Sequence, residues 1–316
     1  MDRRKDTSVW SLAQFNVEWL FTEPFKECPG EGCSWNNTES AILHLETIAK
    51  RIDVLDVDTI HLCEVESCDQ LQELISLMDS SKGYNGYMIK GTDSYTGQNV
   101  GLLTRIDPDG PLERTEVRKT FPISGSQCGY TGESDTEGVS KHMIARFTVN
   151  EQSVMLVGAH LLSQPTSASP CAKREAQAEV LYEIMYNNTL LANDSVQSSM
   201  ILLGDLNDFD GEILDINGNK PLSQVLDIVK MDGHMQSIAS LEKNETNRYT
   251  EWWDENEDMF VQSSKELSMI DHVLVSADWY VRIQNVEYYH AYETEEQGDV
   301  SYDSDHFPVI VEFAFE

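Results

Sequence analysis

The chain is short of positive charge: 316 residues carry 22 lysines and arginines against 55 aspartates and glutamates, a formal net charge of −33. It has no basic stripe to track a duplex, so tight binding of long polyanions is excluded unless salt or a metal ion screens the repulsion. The bland use of such acidity is solubility in salty surroundings. Long apolar runs are missing as well. None approaches the roughly 20 residues that cross a bilayer, and Met1 to Thr7 has no hydrophobic segment behind its charges, so no stable membrane association is expected. No two cysteines stand two residues apart, which removes zinc-ribbon chemistry. Repeats, low-complexity tracts and linkers rich in Pro, Gly or Ser are also absent. With 40% hydrophobic residues the chain can bury a sizeable core, and a single domain over 1–316, acting as a monomer, is the expectation.

What is present begins with an even count of six cysteines. Cys28 and Cys33 flank Pro-Gly-Glu-Gly, while Cys128 and Cys171 both lie in loop-like surroundings, so Cys28–Cys33 and Cys128–Cys171 are the expected disulfides. Cys63 and Cys68 are left as either paired or reduced. Glycosylation sequons occur at Asn36, Asn187, Asn193 and Asn244. Loop cysteines and sequons together favour a secreted protein, with a cytoplasmic one still open.

Short apolar runs alternate with amphipathic stretches, the pattern of an α/β chain. Strands are predicted at 10–16, 59–65, 84–90, 100–104, 144–149, 154–159, 200–204, 269–275, 281–288 and 309–313. Helical stripes fall on Ile42, Leu45, Ala49 and Ile52, on Leu71, Leu74, Ile75 and Met78, and on Ala178, Leu181, Ile184 and Met185. A fourth covers Leu222, Val225, Leu226 and Val229, with Pro221 placed for its first turn. The segments 22–37, 124–139 and 244–265 read as loops around the core.

Asn16, Glu64, His160, Asp205, Asn207, Asp271, Asp305 and His306 each stand at or just beyond the end of an apolar run. A strand end can hold a polar head group at the rim of a buried sheet. Singly, each has a dull explanation, because Asn and Asp end strands and a lone His is usually a hydrogen-bonded neighbour. Together they supply the oxygen ligands that hard divalent cations take and the imidazole or carboxylate that water activation needs.

The order of the pieces resembles the endonuclease/exonuclease/phosphatase superfamily. They are Phe15-Asn16-Val17-Glu18, Leu62-Cys63-Glu64-Val65-Glu66, Asn99-Val100-Gly101-Leu102-Leu103, Gly158-Ala159-His160-Leu161, Gly204-Asp205-Leu206-Asn207, Ile270-Asp271-His272 and Ser304-Asp305-His306-Phe307-Pro308. The resemblance covers Phe15 to Pro308 and implies the deoxyribonuclease-I-like fold, a four-layer α/β sandwich of two packed mixed sheets flanked by helices. It implies Glu64 as principal metal carboxylate with Asn16 and Asp305 near the same ion, Mg²⁺ by default and Mn²⁺ or Ca²⁺ as alternatives. It further makes Asp205 position the attacking water, Asn207 bind a phosphate oxygen, His160 and His306 act on the phosphoryl group or the water, and Asp271 orient His306. The chain departs from the pattern in two places. Cys63 stands where glutamine often precedes the metal glutamate, and Lys141-His142 occupies the region of a phosphate-facing arginine, for which Lys141 is only a point charge.

Tyr249, Trp252 and Trp253 are candidates to stack on a flat group of the substrate, the alternative being that Trp252 and Trp253 plug their loop onto the core. In the loop 91–99, Tyr95 and Asn99 are weaker candidates for phosphate contact, with surface packing the plainer role. The expected partner is a phosphate ester, with nucleic acid or nucleotides first, and the expected activity is that of a nuclease or phosphodiesterase. A phosphate-scavenging monoesterase is the second reading, and an inactive acidic binding module the third.

Overall fold

The computed structural model describes residues 1–21, 34–35, 37–191, 199–253, 263–291 and 303–315. In chain order its strands are β1 Val9–Leu20, β2 Thr59–Val65, β3 Asn85–Met88, β4 Asn99–Thr104, β5 Arg118–Phe121, β6 Asp135–Gly138, β7 Lys141–Val149 and β8 Gln152–His160. There follow β9 Met200–Asp205, β10 Met235–Ser237, β11 Glu251–Trp252, β12 Leu267–Ser268, β13 Asp271–Ser276, β14 Ile283–Tyr288 and β15 Val309–Ala314.

Period-two alternation along these strands builds the layers. On β1, Trp10 and Leu12 face one way, while Ala13, Phe15 and Val17 face the other. The first set joins Cys63, Val100 and Leu102 against Phe147, Leu156, Ile201, Leu203, Val273 and Val275, and this is the seam between the two sheets. One sheet runs β14-β15-β1-β2-β4-β3, the other β10-β13-β9-β8-β7. Each is mixed, with one parallel pair, β1 with β2 and β8 with β9, among antiparallel neighbours.

Helices cover the outer faces. Thr38–Leu55 and Cys68–Leu77 lay Leu45, Ile48, Ile52, Leu71 and Leu74 on Phe15, Val17 and Leu62, while Ala168–Leu191 and Val225–Val229 cover Met155, Val157, Leu202 and Leu274. The first two start where a side-chain oxygen takes up an orphan N–H, Asn37 from Ser40 and Ser67 from Gln70. Helices, sheet, sheet and helices make the four layers expected.

Some local expectations fail. The helix foreseen from Leu222 begins only at Val225, because the Ser223 hydroxyl donates to Asp208 and the Gln224 N–H to Glu175, which fixes those residues outside the helix. The segment 124–139 is not all loop: β6 pairs with β5. Cys128 and Cys171 are joined, while Cys63 and Cys68 are free thiols. The expected Cys28–Cys33 pair and the sequons Asn36 and Asn193 lie outside the described residues, whereas Asn187 and Asn244 are exposed. Among the described residues no helix is long and apolar enough to cross a membrane.

Candidate active site

Four side chains form one cross-strand row at an edge of the second sheet. Asp271 of β13 faces Asp205 of β9, Asp205 faces His160 of β8, and His160 faces Lys141 of β7. Neighbouring strands are about 4.8 Å apart, so the row spaces its head groups evenly. Asp205 and Asp271 continue the inward parity of Ile201, Leu203, Val273 and Val275, which places both carboxylates in the seam. Gly204 is required beside them: a Cβ there would stand 1.8 Å from the Ala159 carbonyl oxygen, and its φ is 156°.

The opposite wall comes from β1 and β2, whose register slips at the same end. Leu62 and Val65 both face the helices, so two residues, Cys63 and Glu64, occupy the place of one. This bulge, with Glu64 at φ 66°, re-aims the Glu64 carboxylate towards the seam. A like slip in β1 puts Glu18 and Trp19, both at φ 47°, beyond Asn16. The Trp19 N–H then donates to Glu64 Oε2 at 2.9 Å.

Asn16 is the hub. Its Nδ2 lies 3.1 Å from Asp205 Oδ2, 3.4 Å from Glu64 Oε1 and 3.4 Å from His306 Nε2. His160 Nε2 is 3.5 Å from Asp205 Oδ2 and 3.9 Å from Glu64 Oε1. The Ser304 hydroxyl anchors the last segment by donating to the Asn16 carbonyl at 2.7 Å, and Glu18 accepts the Asp305 N–H at 3.1 Å. His306 Nδ1 donates to Asp271 Oδ2 at 2.7 Å, and His306 Nε2 is 3.9 Å from Asp305 Oδ1. Thus Asn16, Glu64, His160, Asp205, Asp271, Asp305 and His306, scattered through the sequence, meet in one cleft. The surface hollow walled by Thr92, Tyr95, Arg118 and Glu137 holds none of these carboxylates.

The electrostatics follow from crowding in a desolvated place. Burial, with the Asp271 charge behind it, pushes the Asp205 carboxyl up to about 8 against the pull of His306. Burial and the Glu64 charge raise Glu18 to about 7. Asp305, its side chain still 43% exposed, is pushed well above its ordinary value by desolvation and by the charges of Glu18, Glu64 and Glu251; at that exposure charge crowding is the firmer cause. Burial drives His160 well below the ordinary histidine value, and Lys141 and His306 add to it, so His160 is neutral. Burial opposes protonation of His306 too, but Asp271, Asp305 and Asp205 outweigh it and keep the ring charged.

A divalent cation suits this donor set. Asp205, Asp271 and His306 offer ligand atoms within 4.8 Å of one another. Asp271 and His306, however, already engage each other. The carboxylates whose mutual repulsion a dication would relieve are Glu64, Glu18 and Asp305, beside the Asn16 amide, an oxygen-rich set of the kind hard cations take.

Other sequence candidates sit as follows. Lys141 is buried, with Nζ 3.1 Å from Gln98 Oε1 and 3.9 Å from Asp93, at the His160 end of the row. The Asn207 N–H donates to Asp205, and its Nδ2 donates to the Leu161 carbonyl at 3.2 Å. Tyr249 differs from its expected role: it is buried, with one face of its ring stacked 3.7 Å from His290 and Phe307 perpendicular to it. Trp252 is half-buried, its backbone N–H donating to the Asp305 carbonyl, and Trp253 next to it is 66% exposed. Asn99 clips the loop before it, donating to the Glu66 carbonyl and accepting the Gly91 N–H, while Tyr95 is exposed.

Sequence reasoning missed Gln14, His61, Glu18 and Glu251. The first two carried a signal, being polar residues on the inward parity of apolar strands. Glu251 carried none: a bridge between residues 251 and 306 brings it to the cleft.

No protein-family profile and no curated protein sequence matches the chain. Solved structures do. D. rerio TDP2 complexed with a single-strand DNA product aligns over 98% of this chain and 100% of its own at 16% identity, TM-score 0.56. An endonuclease/exonuclease/phosphatase family protein from Bacteroides thetaiotaomicron aligns over 98% and 95% at 18% identity, TM-score 0.55. The 3′ phosphatase NExo from Neisseria, bound to a product DNA hairpin, aligns over 97% and 100% at 16% identity, TM-score 0.58.

Proposed function

The chain has the deoxyribonuclease-I-like fold of the endonuclease/exonuclease/phosphatase superfamily, and from that premise we propose that it is a divalent-metal-dependent phosphoesterase. It hydrolyses phosphodiesters of nucleotides or short nucleic acids with an activated water. The observation that carries this reading is the convergence of Asn16, Glu64 and Asp305 with Asp205, His160 and the Asp271–His306 pair in one cleft.

Glu64, Asp305 and Asn16, with Glu18 beside them, would hold Mg²⁺ or Mn²⁺. When bound, such an ion supplies positive charge to a phosphate oxygen and lowers the cost of crowding these carboxylates. The chain's own groups do the rest. Asp205, raised to about 8, takes in its ionised form a proton from a water as that water's oxygen bonds to phosphorus, so its role as base strengthens above neutral pH. Neutral His160 donates an N–H to a phosphate oxygen, and Lys141 adds charge at that end of the row. The ester P–O bond breaks on the far side, and the leaving oxygen takes a proton from the charged His306 ring, whose position Asp271 fixes.

The net charge of −33 sets the substrate size, since a long duplex is repelled where a short strand end or nucleotide is not. Two of the similar structures hold DNA products, which favours nucleic acid, and one is a 3′ phosphatase, which keeps the monoester as the second reading. The exposed Trp253, next in the chain to Trp252, whose backbone N–H donates to the Asp305 carbonyl, is suited to stacking on a base. The Cys128–Cys171 bond and the exposed sequons Asn187 and Asn244 fit an oxidising, secretory location. The test is turnover of bis-p-nitrophenyl phosphate, p-nitrophenyl phosphate, an oligonucleotide and plasmid, each with Mg²⁺, Mn²⁺ or EDTA. Metal-dependent diester cleavage is expected; monoester cleavage alone selects the phosphatase, and no turnover of any kind leaves the acidic binding module.

A further inference from the structure

Behind the Asp271–His306 pair the seam is polar where apolar packing would be the default. Gln14 continues the inward parity of Trp10 and Leu12, and His61 sits beside it on β2, paired in register; neither has any exposed surface. Gln14 Nε2 donates to Asp271 Oδ1 at 2.9 Å, and His61 Nδ1 is 2.5 Å from Gln14 Oε1.

The donor and acceptor roles are forced. A carboxylate only accepts, so the Gln14 NH₂ must face Asp271 and its carbonyl must face His61. His61 Nδ1 therefore carries the proton. Its Nε2 finds no partner among the described residues and bears no proton in a neutral ring, consistent with burial pulling this histidine down to about 3. The ring fits because residue 158 is glycine: a Cβ there would stand 2.3 Å from His61 Nε2.

Burying an amide and an imidazole costs stability relative to well-packed apolar residues, so this chain of hydrogen bonds needs a use. We infer that Gln14 and His61 are positioning residues that act through Asp271 to fix the orientation of His306, in a chain His61–Gln14–Asp271–His306. The Gln14 N–H fixes Asp271 Oδ1, which leaves Oδ2 aimed at His306 Nδ1. His61 in turn stops the Gln14 amide from turning over. The cleft side of His306, its Nε2, is then held 3.4 Å from Asn16. Cys63, whose thiol also touches Gln14 Nε2 at 3.4 Å, is too weak an acceptor to replace Asp271.

The inference rests on the proposed phosphoesterase reading for its catalytic consequence, though not for the arrangement itself, and two measurements separate them. In the resting protein, the downfield Nδ1 proton of His306 is followed by NMR in wild type, Gln14→Met and His61→Phe. Turnover of bis-p-nitrophenyl phosphate with Mg²⁺ is measured in the same proteins and again with Asp271→Asn added. Gln14→Met should broaden the proton signal and lower kcat by about 10- to 100-fold, with KM within about twofold. His61→Phe, which leaves a ring in place but removes the donor to Gln14 Oε1, should act in the same direction by about 3- to 10-fold, and it decides the matter if Gln14→Met does not fold. In the Asp271→Asn background both effects should shrink to less than about threefold, because the path runs through Asp271. Unchanged signal and turnover in both variants, or equal losses with and without Asp271, overturn the inference. A broadened signal in a protein that cleaves no ester upholds the positioning chain and sinks the phosphoesterase reading instead.

Discussion

His306 Nδ1 stands 2.7 Å from Asp271 Oδ2, at the buried end of a cleft whose open end holds Asp305. The pair joins two segments that no local motif connects, the start of β13 and the turn before β15, and the charge on the ring depends on it.

Replacing His306 by Ala, or Asp271 by Asn, removes the proposed proton donor to the leaving oxygen or its orientation. Each should lower kcat for bis-p-nitrophenyl phosphate by about 10²- to 10⁴-fold while the far-ultraviolet circular dichroism spectrum stays native. Activity near wild type in either variant would mean that the chemistry lies elsewhere.

Glu64→Gln removes a charge that the β2 bulge aims at the proposed ion site. Isothermal titration with Mg²⁺ should show affinity weakened by at least about tenfold, whereas Trp253→Ala, at an exposed rim position, should leave it unchanged. Equal affinity in Glu64→Gln and wild type would remove Glu64 from the ion's ligands.

Three histidines away from the open cleft make the fold acid-sensitive. Burial pulls His61 to about 3, and His142 and His290 to about 4 each. Unfolded, each titrates near 6.5, so the unfolded chain binds more protons below that pH. Stability is therefore full above pH 6.5 and is lost as pH falls towards 4, by about 1.4 kcal/mol per pH unit for each such ring. His290→Phe keeps the stack on Tyr249, and chemical denaturation between pH 7 and 4 should show a shallower slope than wild type. An identical slope would show that His290 is not buried neutral.

The Cys128–Cys171 bond closes a sequence separation of 43 residues and ties the loop after β5 to the first turns of the Ala168–Leu191 helix. The double variant Cys128→Ala, Cys171→Ala should lose about 2–4 kcal/mol in urea unfolding. Without reductant, alkylation of the denatured wild type followed by peptide mapping should label Cys63 and Cys68 and spare Cys128 and Cys171; label on Cys128 or Cys171 would contradict the bond.

The sequence by itself determined the layers and the donor types. Period-two runs such as Trp10-Leu12 and Ile201-Leu203 specify inward faces, and the polar residues that follow them, Asn16 and Asp205, had to lie at the seam's edge because parity carries over from one residue to the next but one. The order of those residues also made the fold legible. Only the tertiary structure decided which heads touch, since parity gives a face and not a partner. The bulge that turns Glu64 out of its parity, the bridge that delivers Glu251, and the stack that takes Tyr249 out of the cleft each depend on contacts between segments far apart in the chain. The Gln14–His61 extension shows both sides: its inward parity was readable, but its role required the cross-strand pairing and the space left by Gly158.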